Sequence, residues 1–353
     1  MNFHGGDIYK YNNGDILDFS SNINPMGVPS SFAKALQERM HEFTRYPDIN
    51  YTGLRQSIAN YLGIENIDSI IPGNGAVELI YRLAVALACK RVLTASPTFS
   101  EYGRAAVQNG SKFVEIPAFD EEFQKLDVDM LTDNAEAGSL VIICNPNNPT
   151  GTFTGKSTLC SLAEKLAEKG CWLAIDEAFI EFTDAYPSNS MTAEITKYDN
   201  LIVVRAVTKF FGMPGIRLGY AVCGSSSIAD SIAARLEPWN VNTAAVIAAD
   251  TVLQDEEYIA RTRRWLSEER DYLYRGLESI VGIHVYRSAA NFHLCKIEED
   301  NLDAWTLKAL MAERGVLIRT PDGFNNLTPQ HIRLAVKDRE ANNRLLNVLN
   351  EVV

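Results

Sequence analysis

Residues 139–151, SLVIICNPNNPTG, hold an apolar run of strand length that breaks into a loop pinned by two prolines. The same plan recurs in WLAIDEAFIEF (172–182) and LIVVRAVTKF (201–210), where each apolar run ends at a polar or charged residue. An amphipathic run at 156–169 separates the first two. Continuous apolar strands alternating with helices predict parallel pairing covered on both faces. N-terminal to these runs, 76–89 reads as helix, 91–95 as strand, 100–109 as helix and 112–116 as strand, followed by a more polar stretch. The fold class expected is a doubly wound α/β domain with a mostly parallel sheet.

Towards the N-terminus, HGG, NNG and NPMGVP supply turn chemistry around the short apolar segment 16–19. Residues 1–30 therefore read as an arm. Helical periodicity runs from 31 to 43 and resumes near Tyr51, with RYPD (45–48) as the turn between. After Ala229 the pattern changes to a long helical region, 243–280, then short strands near 283–286 and 291–296, a helix at 302–314 and a last helix after Asp338. The expected organisation is an arm (1–30), a large domain (31–230) and a smaller α+β C-terminal domain (231–353).

The chain has 353 residues, 46% hydrophobic and 22% charged, enough for one large core plus a smaller lobe and unlike a disordered or collagenous sequence. Lys+Arg 33 against Asp+Glu 45 leaves a net charge of −12, which argues against nucleic acid or an anionic membrane as partner. An anionic substrate then needs local arginines. These suffice, because charges beyond ~8 Å are largely screened at physiological salt. The six cysteines are scattered without a C-x-x-C pair, as expected of buried thiols in a reducing compartment. No apolar run approaches the ~20 residues of a membrane span, and the start, MNFHGGDIYKYNNGD, has no leader-like apolar region. The expected location is the cytoplasm.

In open α/β sheets ligands bind beyond the carboxyl ends of the strands. There the sequence places Asn148, Asp176, Lys209 and Phe99, with Thr208 beside the lysine and Arg217 in the following GMPGIRLGY. An amide, a carboxylate, an amine and an aromatic ring suit a pyridoxal phosphate pocket. The amine binds the aldehyde covalently, the acid keeps the ring nitrogen protonated, and the aromatic ring stacks on its face. Gly73-Asn74-Gly75-Ala76 opens a helix whose first N–H groups suit the phosphate, with Arg217 adding a charge-assisted contact.

The ordered set CNPNNPTG, DEAFIEF and TKFFGMPGIRLGY resembles the fold-type I pyridoxal phosphate enzymes of the aminotransferase class. It is most similar to the branch that holds histidinol-phosphate aminotransferases and the threonine-phosphate decarboxylases of cobalamin synthesis. The likeness extends from HGGDI near the start to HIRLAV near the end. It implies that Lys209 carries the cofactor, Asp176 meets the ring nitrogen, Asn148 donates to the phenolic oxygen and Phe99 stacks. Gly75, Ala76, Thr208 and Arg217 would form the phosphate cup. Tyr46 matches a tyrosine that reaches the cofactor phosphate of a neighbouring subunit, which implies a homodimer with shared sites. Arg333, in HIRLAV, matches the grip on the substrate α-carboxylate. Arg319, in LIRT, matches the contact to a distal phosphate, and His4 and Asn22 match residues at the same end of the pocket.

One departure bears on the reaction. Aminotransferases of this branch usually carry tyrosine at the third position after the aspartate, and here Phe179 stands there. Phenylalanine at this place, with HGGDI, DFSSNINPMG, EYGRA and PWNVN, is similar to the decarboxylase sub-branch. Trp239 and Asn242 of PWNVN are expected to shape the pocket wall. The reading is a decarboxylase acting on a phosphorylated amino acid, threonine phosphate, to give aminopropanol phosphate for corrinoid assembly. A histidinol-phosphate aminotransferase is the alternative, and a non-catalytic cofactor-binding sensor is the alternative from another class.

Overall fold

The structure is a computed structural model and describes residues 4–11, 16–299 and 301–353. The expected turn at Asn12-Asn13-Gly14 lies outside them. In chain order the elements are β1 (Leu17–Asp18), α1 (Ser30–Glu38), α2 (Thr52–Leu62), β2 (Ile70–Gly73), α3 (Ala76–Ala86), β3 (Arg91–Ala95), α4 (Glu101–Gln108), β4 (Lys112–Ile116), α5 (Val128–Asn134) and β5 (Leu140–Cys144). There follow α6 (Lys156–Glu168), β6 (Trp172–Asp176), β7 (Leu201–Ala206), α7 (Val207–Phe210), β8 (Gly219–Cys223) and α8 (Ser226–Ala233). The C-terminal part holds α9 (Thr243–Val252), α10 (Glu256–Glu278), β9 (Ile283–Val285), β10 (Phe292–Ile297), α11 (Ala304–Glu313), β11 (Val316–Leu317), β12 (His331–Ala335) and α12 (Arg339–Val352).

Seven strands form the central sheet in the order β2-β8-β7-β6-β5-β3-β4. The run from β7 to β4 is parallel, and β8 pairs antiparallel with both β7 and β2. Every residue of β5, β7 and β8 is buried, as strands covered by helices on both faces must be. β2 lies at the sheet edge, where Pro72 can be accommodated. The fold is therefore the α/β class expected, with a mixed, mostly parallel sheet.

A second sheet, β12-β10-β9, is antiparallel throughout. The arm strand β1 pairs in parallel with β11, Leu17 opposite Val316 and Asp18 opposite Leu317, so the N-terminal segment is sewn to the C-terminal part. The expected single helical region 243–280 is two helices. The first ends at Val252, and Asp255 caps the second by accepting the N–H of Tyr258 at 2.9 Å. α9 packs on α1 and α2 rather than on the second sheet. The helix expected over 31–43 ends at Glu38 and continues as a 3-10 turn over Met40–Thr44, and α3 stops at Ala86 rather than 89. The turn expected in RYPD falls slightly later, where the N–H of Tyr51 bonds to the carbonyl of Asp48. The division into arm, large and small domains at residues 30 and 230 is one we propose.

Candidate active site

The sheet register puts the chemistry at one edge. Cys144 at the end of β5 lies opposite Asp176 at the end of β6, and Asp176 lies opposite Val204 of β7. The chain therefore delivers Asn148, Asp176 and Lys209 to a common mouth, and β3 leads to Phe99 from the next strand over. A cavity of about 240 Å³ opens there. Eleven of the thirteen residues expected from the sequence line it: His4, Asn22, Ala76, Phe99, Asn148, Asp176, Thr208, Lys209, Arg217, Arg319 and Arg333. Gly75 stands immediately behind Ala76.

Tyr46 does not join them. It is 76% exposed, borders a separate groove and stacks on Trp239 at 4.5 Å between ring centroids. Trp239 and Asn242 likewise fall outside the cavity lining, contrary to the expectation that they shape its wall. The side chain of Asn242 caps α9 instead, accepting the N–H of Ala245 at 2.9 Å.

Asp176 is buried, and burial raises its pKa above the usual carboxylate value. Three groups oppose that rise: the Tyr102 hydroxyl, 2.7 Å from Oδ2, the Ala178 N–H, 3.0 Å from Oδ1, and the charge of Lys209. Lys209 is itself pushed down to about 8, first by burial and then by the positive charges of Arg333 and Arg217. An amine so depressed spends a substantial fraction of its time neutral near pH 7.5, the state needed to attack a carbonyl.

At the other side, Arg333 on β12 donates from Nη1 to Asn148 Oδ1 and from Nη2 to the Ser20 carbonyl at 2.8 Å. Its backbone exchanges hydrogen bonds with Arg319, which brings the two buried arginines side by side. Burial and the charge of Arg319 press the Arg333 guanidinium down to about 9, and burial presses Arg319 down to about 10. Both remain cationic at neutral pH. Phe324 lies under both, 4.9 Å from Arg319 and 5.8 Å from Arg333. Among the described residues neither Arg333 Nε nor Asn22 Oδ1 meets a partner, although both are buried. Buried cations and unsatisfied polar atoms around an opening call for a polar, anionic ligand.

The sequence reading missed the residues that hold this array in place. Asp18 and Ser20 shape the turn behind Arg333: the Ser20 N–H bonds to Asp18 Oδ1 at 2.8 Å, and the Ser20 hydroxyl receives the Gly6 N–H at 2.7 Å. Gly5 presses on that turn so closely that a Cβ would sit 2.1 Å from the Ser20 carbonyl oxygen. His4 reaches Glu101 at 3.0 Å, a carboxylate that also bonds Tyr81 and Arg104. EYGRA and HGG therefore belong to one structure, with α4 receiving the arm. The sequence signal was the EYGRA motif, and the burial of its Glu101 is visible only in the structure.

The site fits pyridoxal phosphate. Gly75 has φ +82, and a Cβ there would sit 2.3 Å from Arg217 Nη2. A Cβ on Gly219 would come 2.3 Å from the Ala76 nitrogen. Only glycines at both places let the guanidinium and the start of α3 close into a cationic cradle. Gly75 offers no side-chain cap, and the first N–H groups of α3, at Ala76 and Val77, border the cavity. Arg217 holds its place in a left-handed conformation, φ 56, a strained state characteristic of functional positions. A reactive amine, a buried acid and this anion cradle together match the donor set the cofactor needs.

Comparison with known proteins agrees. Residues 14–349 match the family Aminotransferase class I and II, and the chain belongs to that family. It is a pyridoxal-phosphate-dependent enzyme of the fold-type I group. Over 346 residues it is 39% identical to a candidate threonine-phosphate decarboxylase of Caldanaerobacter subterraneus subsp. tengcongensis, covering 98% of this chain and 92% of that one. The threonine-phosphate decarboxylase of Salmonella typhimurium is 31% identical over 99% of this chain and 96% of its own. Among solved structures, the histidinol-phosphate aminotransferase of Clostridium acetobutylicum superposes with a TM-score of 0.88 at 37% identity, over 96% of this chain and 99% of that one. No described helix is long and apolar enough to cross a membrane, and all six cysteines are free thiols.

Proposed function

We propose that the enzyme decarboxylates L-threonine O-3-phosphate to (R)-1-aminopropan-2-yl phosphate, in the assembly of corrinoids. The observation that carries this reading is the pair of buried arginines, Arg319 and Arg333, joined backbone to backbone across the cavity from Lys209 and Asp176. Two fixed cations suit a substrate with two anionic ends. Phe179 favours decarboxylation over transamination: it is buried, lines the cavity and packs edge-on against Phe292, so this wall presents a hydrocarbon surface in place of a hydroxyl. The two decarboxylase relatives above point the same way.

When bound, pyridoxal phosphate supplies an electron sink conjugated to the substrate nitrogen. Lys209 holds it, Asp176 meets its ring nitrogen, Asn148 its phenolic oxygen, Phe99 its face, and Gly75, Ala76, Thr208 and Arg217 its phosphate. Arg319, with His4 and Asn22, binds the phosphate end of the substrate, while Arg333 orients the carboxylate. Burial of that carboxylate against apolar Phe179 and Phe324 favours its departure as neutral carbon dioxide, the bonding pair staying behind at Cα. Lys209, as its ammonium, then delivers a proton to Cα and returns to the neutral amine. The exposed Tyr46 is available to a second copy of the chain, and we propose a cytoplasmic homodimer in which it reaches the partner's site.

The 37% identical aminotransferase structure supports a second reading, transamination of histidinol phosphate. Incubating the holoenzyme with threonine phosphate and no keto acid separates the two. Carbon dioxide release is expected. Its absence, with turnover of histidinol phosphate and 2-oxoglutarate, overturns the decarboxylase.

A further inference from the structure

Tyr102 lies in the first turn of α4, has no exposed surface, and places its hydroxyl 2.7 Å from Asp176 Oδ2, a partner 74 residues away in the chain. No local need of the helix explains the contact. The residue at the helix cap is Ser100, and it makes no side-chain cap bond. Burial and the nearby charge of Asp176 hold the Tyr102 pKa far above its ordinary value, so the hydroxyl is a permanent donor. With the Ala178 N–H on Oδ1, each oxygen of the acid carries one protein donor, which fixes the plane of the carboxylate and leaves each oxygen a further acceptor position. The Tyr102 ring also stands edge-on to Phe99, centroids 5.6 Å apart, and so supports the stacking ring as well.

We propose that Tyr102 is a positioning residue that fixes Asp176 as the acceptor for the ring nitrogen of the cofactor. The inference rests on reading Asp176 as the partner of that nitrogen. Buried as it is, Asp176 is pressed toward its neutral form, which would donate a proton instead of accepting one. The groups that face it are Tyr102, the Ala178 N–H, Lys209 and Cys144, and burial keeps the Cys144 thiol neutral. The charge of Lys209 is not available throughout the reaction, since that amine is also the one that bonds the cofactor. The two hydrogen-bond donors are, and of these only Tyr102 is a side chain.

Tyr102→Phe removes the hydroxyl and keeps the ring. The dissociation constant for pyridoxal phosphate is expected to rise by about 10-fold, the scale of one hydrogen bond to a charged group. In holoenzyme reconstituted with pyridine-15N cofactor, the nitrogen resonance is expected to move from the protonated range toward the neutral one, with kcat falling and KM nearly unchanged. A merely structural tyrosine would change melting temperature and leave the resonance in place. An unchanged resonance and dissociation constant in Tyr102→Phe overturn the proposal. If that variant does not fold, fluorinated tyrosines at position 102 grade the donor strength at nearly constant shape. A graded shift supports the proposal and a flat series overturns it. Asp176→Asn, run in parallel, separates the two readings. If it too leaves the resonance and dissociation constant unchanged, the role of Asp176 itself fails. If it moves both while Tyr102→Phe moves neither, only the role of Tyr102 fails.

Discussion

The Lys209 amine is set by its neighbours more than by its own chemistry. Burial and two arginines bring its pKa from an ordinary 10.5 to about 8. In the apoprotein this has a definite sign. Between pH 8 and 10.5 the unfolded chain binds a proton at this residue that the folded chain does not, so stability rises with pH across that window and the contribution is lost as pH falls through 8. The same neutral amine is the one that captures cofactor. The rate of cofactor uptake by apoprotein, followed by absorbance, is expected to rise with a midpoint near pH 8, and a midpoint near 10.5 would show that the amine is not depressed. Arg333 is held by Asn148 and Ser20 and leaves its Nε unpartnered among the described residues. Arg333→Lys loses the planar fork and is expected to raise KM by roughly 10–100-fold, the value of a charge-assisted hydrogen bond. A KM within twofold of wild type would remove Arg333 from the substrate site.

At the scale of elements, the arm is a seat for the site. Its β1 pairs with β11, its Gly5 rests on Ser20, and His4 reaches α4 through Glu101. Gly5→Ala cannot keep this arrangement, because the new methyl would overlap the Ser20 carbonyl. Steady-state kinetics is expected to show weaker substrate affinity with unchanged cofactor binding. Cofactor loss in step with substrate affinity would mean that the arm supports the whole fold. The strands β5, β6 and β7 were legible in the sequence because burial on both faces writes them as unbroken apolar runs. β2 was not, since Pro72 and Gly73 disguise a four-residue edge strand. Neither was β8, Gly219–Cys223, where no strand is expected from the sequence, nor its antiparallel direction, which no run of residues encodes. The residues that bond through space from distant segments also stayed hidden. Ser20 supports Arg333 and Tyr102 supports Asp176, and neither pairing has a spacing that a linear motif can display.

For the whole molecule, β7, which leads into α7 and Lys209, is tied by a buried ionic cluster to the segment that follows Asp176. Arg205, in β7 and wholly buried, bonds Glu177 at 3.2 Å and Glu181 at 2.6 Å. Arg205→Met leaves two buried carboxylates without their cation and is expected to destabilise the protein by about 3–5 kcal/mol, read as a lower midpoint of chemical denaturation. An unchanged midpoint would mean that the cluster is not a structural tie. The reaction is where residues, elements and molecule meet, and carboxyl-labelled threonine phosphate in deuterated water tests it most directly. With no keto acid present, the label is expected to leave as carbon dioxide while the amine product gains one solvent deuterium at the former Cα. Retention of the label, with 2-oxoglutarate converted to glutamate when histidinol phosphate is supplied, would contradict the account.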